Sequence, residues 1–188
     1  MPRNRQLTEE RIRAAGVALL RKRGFEDWGI NAVARQAGSD KVLIYRYFRS
    51  LEGLLEAIVA ETAFWPGPDR LPDTSPEAAF EATRAFIKER PEAFALLTQP
   101  AARRPVSPVI RRYSNQLDTW VRALLPRVRG PDASSALRRA AALLYQDTLT
   151  GQEDWSPAEI WRTVSPPLEW NPPSRPEPDS EDLPTELL

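Results

Sequence analysis

The chain contains no cysteine and no histidine. Without cysteine, disulfide cross-links and thiolate metal sites are excluded. Without histidine, the chain lacks the most common general acid–base and the most common metal ligand. Ser-His-Asp and Cys-His mechanisms are therefore impossible, as are zinc sites built on His or Cys. An enzyme made from this sequence would have to work with carboxylates, Lys or Tyr, so the chain is not expected to be one, and no cofactor or metal site is expected. Long apolar runs are also missing, and none approaches the length of a membrane span. The first residues, Met1-Pro-Arg-Asn-Arg-Gln-Leu7, are polar and basic and lead into no signal-peptide core. These absences predict a soluble, cytoplasmic protein with no membrane partner.

Opposite charges balance over the whole chain but not along it. Its 188 residues carry 26 Lys/Arg and 26 Asp/Glu. Residues 1–50 hold eleven basic and five acidic side chains, a net +6. Residues 165–188 hold one basic and six acidic, a net −5. A basic head is where a polyanion can dock, although a solvated charged surface gives the same count. Three segments follow: a head over 1–50, a helical body over 51–164, and a tail over 165–188. The tail has seven prolines in 24 residues and reads as disordered.

The fold class is all-α, and no strand pattern stands out. Ile12, Ala15, Leu19 and Leu20 follow helical spacing over 8–23. Thr8 is placed to cap that helix, Glu9 and Glu10 fall in its first turn, and Leu7 with Ile12 forms a hydrophobic staple. Gly24 ends it. Ile30, Val33, Ala34 and Ala37 define one face of a short second helix over 30–37. Gly38-Ser39-Asp40 then breaks the chain, with Gly38 suited to a left-handed turn and Asp40 to capping a third helix over about 41–47. Ile44 and Phe48 point one way as core anchors. Ser50 caps a fourth helix carrying Leu51, Leu54, Leu55, Ile58 and Val59.

Downstream, WPGPDRLPDTSP over 65–76 is too rich in proline for a regular element and reads as a linker or long loop. Helical patterns resume over 76–89, from Pro91, over 108–125, over 132–149 and over 157–164. Pro100, Pro105 and Pro108 punctuate a loop.

The run Lys41-Val-Leu-Ile-Tyr-Arg-Tyr-Phe48 is the part that carries function. With the preceding helix and turn it makes a helix-turn-helix inside a basic head. Lys41 and Arg46 can reach phosphates or a guanine edge. Val42 and Leu43, read as apolar and outward, suit thymine methyl groups. Tyr45 and Tyr47 can donate to phosphate oxygens. The plainer reading makes Val42 and Leu43 core residues of a three-helix bundle.

Residues 8–58 resemble the DNA-binding domain of the TetR family of transcriptional regulators. The resemblance runs through Ile12…Ala14-Ala15, Gly24-Phe25, Val33-Ala34…Ala37-Gly38, Tyr45-Arg46-Tyr47-Phe48 and Leu54-Leu55. It departs where the family usually opens the second helix with Thr or Ser, since Trp28-Gly29 stands here. It departs again at Val42-Leu43, where many members have a small residue, and at Leu51, where a lysine is common; set against the family's phosphate contact there, the resemblance implies that nearby Arg49 compensates. The resemblance implies an all-α regulator whose three-helix head binds double-stranded DNA, followed by an antiparallel helical domain that dimerises and takes a small-molecule effector.

The body is compatible with that implication. Phe86, Phe94, Tyr113, Leu117 and Trp120, with Gln146 as a polar anchor, are candidates for a largely apolar effector pocket. Tyr145, Gln116, Asp118 and Asp147 lie on the same helices. The same aromatics can simply fill a core. Ala140, Ala141 and Leu144 form a small-residue stripe that is a candidate seam for a homodimer, extended by Trp155 and Trp161; packing within one chain is the other reading. Two-fold symmetry favours the dimer, because one short helix reads few base pairs and two read half-sites about 34 Å apart. A helical enzyme, or an interaction module using the acidic tail, remains an alternative. The operator, the effector and the direction of regulation are not legible.

Overall fold

A computed structural model describes residues 2–98, 107–151, 155–165 and 168–172. Among these residues nine helices run in the order α1 (Pro2–Arg23), α2 (Ile30–Ala37), α3 (Lys41–Phe48), α4 (Leu51–Glu61), α5 (Pro76–Lys88), α6 (Pro91–Thr98), α7 (Pro108–Leu124), α8 (Ala133–Thr150) and α9 (Pro157–Val164). The all-α expectation holds, with one small exception described below. The punctuating prolines 100 and 105 lie outside the described residues.

The head forms as its caps dictate. α2 ends on Gly38 at φ 56°, where Ser39 N–H donates back to Ala34 O at 3.0 Å and Gly38 N–H to Arg35 O at 3.2 Å. That pair of bonds closes the last turn and needs a left-handed residue, which glycine supplies without a Cβ clash. Asp40 then caps α3 by accepting from Val42 N–H at 2.9 Å. Ser50 caps α4 through Gly53 N–H at 3.0 Å. The corner between α3 and α4 is tight, because a Cβ at Gly53 would stand 2.0 Å from Phe48 O. Any side chain there would force the two helices apart.

α1 begins six residues earlier than the sequence predicts. Thr8 is therefore inside the helix, where its Oγ1 donates to Asn4 O at 2.8 Å. The hydroxyl bonds back to the preceding turn, so it caps nothing. The staple also fails, since Leu7 is exposed, and Glu9 and Glu10 are no longer in the first turn. Ile12, Ala15 and Leu20 do face the core, while Leu19 is half-buried.

The body packs α5, α7, α8 and α9 around Phe80, Trp120, Leu137 and Leu144. Trp120 is wholly buried, and its Nε1–H donates to Thr83 Oγ1 at 3.0 Å, so its one polar atom is satisfied. Arg84 and Asp147 form a buried ion pair at 3.2 Å between α5 and α8. Both also hold the chain entering α9: Arg84 donates to Trp155 O, and Asp147 accepts from Trp155 N–H at 3.3 Å. Head and body meet where α4 packs on α1 and α3 and where α6 packs on α1; there Arg21 donates twice to Glu92, at 2.8 and 3.0 Å.

The expectation of no strand and of a disordered tail from 165 is corrected in part. Val128–Arg129 (β1) pairs antiparallel with Glu169–Trp170 (β2), Val128 opposite Trp170 and Arg129 opposite Glu169. Asn171 N–H adds a bond to Arg127 O at 2.6 Å. The apolar residues Leu168 and Trp170 explain why proline and acid content alone misled: both pack on the body, Trp170 edge-on to Trp161. The rest of the tail, 173–188, lies outside the described residues.

Candidate nucleic-acid interface

Lys41, Val42, Tyr45, Arg46 and Arg49 are all exposed. Their spacing, i, i+1, i+4, i+5 and i+8, puts them on one face of α3 and its C-terminal cap. Val42 is 61% exposed and Tyr45 51%, values that a core role would not allow. The opposite side is anchored by Ile44, which is fully buried. Burying that side chain contributes roughly 1.5–3 kcal/mol. Two of the predicted contact residues sit differently. Leu43 and Tyr47 are half-buried and pack against the head's core, so they flank the outward face without dominating it. The outward reading of Leu43 is corrected to that extent.

The exposed row carries three cations, Lys41, Arg46 and Arg49, and the adjacent Asp40 carboxylate accepts the capping bond of α3. Arg49 follows α3 with φ 68°, a positive value that is unfavourable for a residue with a side chain. That strained residue sits at the tight corner between α3 and α4, on the basic side of the head.

Residues that the sequence reading missed lie alongside. Because α1 starts at Pro2, its first turns reach α3 and form a groove of ≈ 800 Å³ lined by Asn4, Arg5, Thr8, Leu43, Arg46 and Tyr47. The Arg5 guanidinium lies 5.4 Å from the centre of the Tyr47 ring and is bonded to Glu9 at 2.7 Å. The signal available in the sequence was Pro2 itself, a residue favoured in the first turn of a helix. At α2, Gly29 precedes the helix with extended backbone and no side-chain cap, so the first-turn N–H groups are presented by the backbone alone.

The residues predicted for an effector pocket are spread through the body. Trp120 and Phe86 are buried, while Phe94, Tyr113 and Leu117 are half-buried. Gln146 is exposed on α8. Phe86 is covered by the Arg90 guanidinium, 3.5 Å from its ring centre. Tyr113 and Trp120 instead gather round a residue not counted among the candidates, Trp65. Its ring centre is 5.6 Å from that of Tyr113, 5.2 Å from Trp120 and 4.7 Å from Tyr145. Burial pushes the Tyr113 phenol up to about 12, and the more deeply buried Tyr145 is pushed up further. Gln116, from α7, accepts from Phe64 N–H at 2.7 Å and from Trp65 N–H at 3.3 Å. A separate cleft of ≈ 550 Å³ opens where α1, α4 and α6 meet, and none of the six predicted effector residues lines it.

The small-residue stripe lies inside the protomer. Ala140, Ala141 and Leu144 are all at most 1% exposed, packed within their own chain, so they offer no surface to a second copy. Small side chains permit close packing whether the neighbour belongs to the same chain or another, which is why the stripe was ambiguous. Trp161 is half-buried against Phe80 and Trp170. Of the five, only Trp155, 40% exposed, presents a large surface outward. Among the described residues no group of three acidic side chains is placed to hold a metal ion, and no helix is long and apolar enough to cross a membrane.

Comparison with known proteins bears on the same head. Residues 12–58 match the family described as bacterial regulatory proteins, tetR family. No curated protein matches the chain significantly in sequence. Among solved structures, the chain is similar to HlyIIR, a hemolysin II transcriptional regulator, with TM-score 0.58 and 16% identity over 85% of this chain and 96% of the other. It is similar also to an HlyIIR mutant in which residues 169–186 are replaced by a linker, with TM-score 0.61 and 16% identity over 86% and 96%. At that identity the likeness speaks for the fold.

Proposed function

We propose that the chain, whose residues 12–58 match the tetR family of bacterial regulatory proteins, is a transcriptional regulator that binds duplex DNA as a homodimer, with an affinity set by a small, largely apolar effector. The observation that carries the DNA reading is the exposed row Lys41, Val42, Tyr45, Arg46 and Arg49. Water is a poor neighbour for Val42, whereas the wall of a major groove offers thymine methyl groups to it and phosphates to the cations around it. Tyr45 lies one turn beyond Lys41 and can donate its hydroxyl to a phosphate oxygen. Ile44 holds the helix from behind, so the reading face is presented by a packed scaffold.

The dimer is supported by the arithmetic of recognition. An eight-residue helix spans about 12 Å and covers only a few base pairs. Two such helices related by a two-fold axis read half-sites about 34 Å apart. Gln146 and Trp155, exposed on and beyond α8, are surfaces that a second copy can meet. The effector reading is supported by the aromatic interior of the body and by its direct attachment to α4.

Selection of bound sequences from a random DNA pool, followed by a salt titration on the selected duplex, tests the proposal. We expect a two-fold symmetric site, a 2:2 protein-to-strand stoichiometry by sedimentation, and log K falling with log[salt] at a slope of about −0.9 per phosphate neutralised. A monomer that enriches no sequence at low ionic strength would sink it.

A further inference from the structure

We propose that Trp65 is a built-in occupant of an aromatic box in the body, and that a flat, uncharged aromatic ligand of indole size acts on the head by taking its place. This inference rests on the effector-responsive reading above and specifies its site, ligand class and relay. Trp65 belongs to no helix. It lies in a segment whose proline content marks a connector, yet it is 3% exposed and surrounded by the rings of Tyr113, Trp120 and Tyr145. Three walls of the box thus come from α7 and α8, and its content comes from the end of α4.

The indole is held by shape and ring contact. Its Nε1–H meets no acceptor among the described residues, although it is buried. A ligand that replaces it therefore forfeits no side-chain hydrogen bond, and needs no donor of its own. Aromatic pairs at these separations favour flat rings with exposed edges over branched aliphatic groups.

The backbone beside the indole couples the box to the head. α4 ends at Glu61, and Thr62 O accepts from Arg112 Nε at 2.8 Å and from Gln116 Nε2 at 3.0 Å. Phe64 O accepts from the Tyr145 hydroxyl at 2.6 Å. These bonds fix residues 62–65 to the body as one joint. Downstream, Pro66 is buried and its φ is fixed, so movement of Trp65 is not readily absorbed on that side. Upstream lies α4, a lever of about 16 Å, so a shift of about 2 Å at its end tilts it by about 7°. At its other end α4 meets α3 at the Gly53 corner, where there is no slack. The cleft between α1, α4 and α6 is lined by Thr62 and Ala63, so it borders the joint.

The test uses the full chain with Trp65→Gly and indole itself as probe. The variant's thermal midpoint should fall by roughly 8–16 °C, and millimolar indole should raise it again by at least about 2–4 °C. Hydrogen exchange of the α4 amides should accelerate in the variant and slow again with indole. A folded variant whose midpoint ignores indole would overturn the box. A rise in midpoint with unchanged exchange in α4 would overturn the relay. Should the glycine variant not fold, Trp65→Phe keeps the proposal falsifiable: it should speed α4 exchange several-fold, and exchange equal to the parent chain would overturn it. None of these readouts needs DNA. If indole fills the box and protects α4 while DNA affinity stays constant, the box and its link to α4 stand, and both the action on the head and the effector reading fail.

Discussion

Gln116→Leu is the most informative single change in the body. The glutamine bonds three backbone groups at once: Oε1 accepts from Phe64 N–H at 2.7 Å and Trp65 N–H at 3.3 Å, while Nε2 donates to Thr62 O at 3.0 Å. Leucine has a similar volume, so the change opens no sizeable cavity. Thr62 O keeps its bond from Arg112 and is not orphaned. The cost therefore falls on two N–H groups of residues that are themselves 1% and 3% exposed. The shorter bond leaves a buried donor unsatisfied at about 1–3 kcal/mol, and the longer adds less, so the total is about 2–3 kcal/mol. For a chain of this size each kcal/mol moves the midpoint about 2–4 °C, which gives a fall of about 4–12 °C.

Thermal and urea denaturation followed by far-ultraviolet circular dichroism read that fall, with the urea m-value unchanged. Exchange of the Phe64 and Trp65 amides should accelerate by at least about tenfold, the equivalent of 1.4 kcal/mol. The neighbouring Asn115→Leu, at an exposed position, serves as control and should stay within about 0.5 kcal/mol of the parent. A Gln116→Leu protein that melts with its parent and exchanges these amides no faster would refute the claim that α7 holds the exit of α4.

Three further outcomes follow from the head and the buried phenols. Lys41→Ala and Arg46→Ala should each weaken DNA binding and, where the lost contact is to phosphate, reduce the salt slope by about 1, while a loss of sequence preference without a change in slope would assign the side chain to a base. Arg49→Gly should separate two properties: relief of the positive φ leaves stability unchanged or raises it by up to about 1 kcal/mol, whereas DNA affinity falls, and a parallel loss of both in melting and binding assays would contradict the assignment. Tyr113 is held neutral by burial with its phenol pushed up to about 12, and Tyr145 further, so the folded state binds more protons than the unfolded chain once the pH passes 10. The stability that they contribute is complete below about pH 10 and lost as pH rises through 12, so denaturant midpoints should drop steeply in that window, and less steeply in Tyr113→Phe.

How much of this was legible in the sequence depended on whether the signal was local. Asp40, Ser50, Gly24 and Gly38 specify their turns through their own backbone and side-chain chemistry; α2 and α3 appear within a residue of their expected limits, and α4 starts directly after its expected cap. The start of α1 was misread because Thr8 followed by acids imitates a helix N-terminus, whereas in the fold the hydroxyl bonds to Asn4 O and Pro2 opens the helix. The groove that Asn4 and Arg5 line beside α3 was missed with it. Long-range choices were not legible at all. Alanines at 140 and 141 fit a dimer seam and a protomer core equally well, and only the position of α5 and α9 decides for the core. Trp65 was hidden for the opposite reason: the prolines around it mark a connector, which holds only the short 3₁₀ turn Pro68–Arg70, and a connector reading says nothing of which side chains are buried.

The architecture of α3 separates the outward row proposed to read DNA from the residues that keep the helix folded. Only Ile44 among its eight residues is fully buried, with Leu43, Tyr47 and Phe48 giving partial cover. The outward residues 41, 42, 45, 46 and 49 contribute almost nothing to the core, so their replacement changes stability by no more than about 0.5 kcal/mol unless a special φ or a cap is touched. Ile44→Ala, by contrast, removes a wholly buried side chain and costs about 2–5 kcal/mol. Substitutions on the outward row can thus alter the preferred duplex at little expense to the fold, while Gly53 and the joint at residues 62–65 keep the helix in register with the body. A set of outward-row variants with unchanged melting midpoints and shifted sequence preferences would express that separation; midpoints that fell together with preference would mean that the row is part of the packing after all.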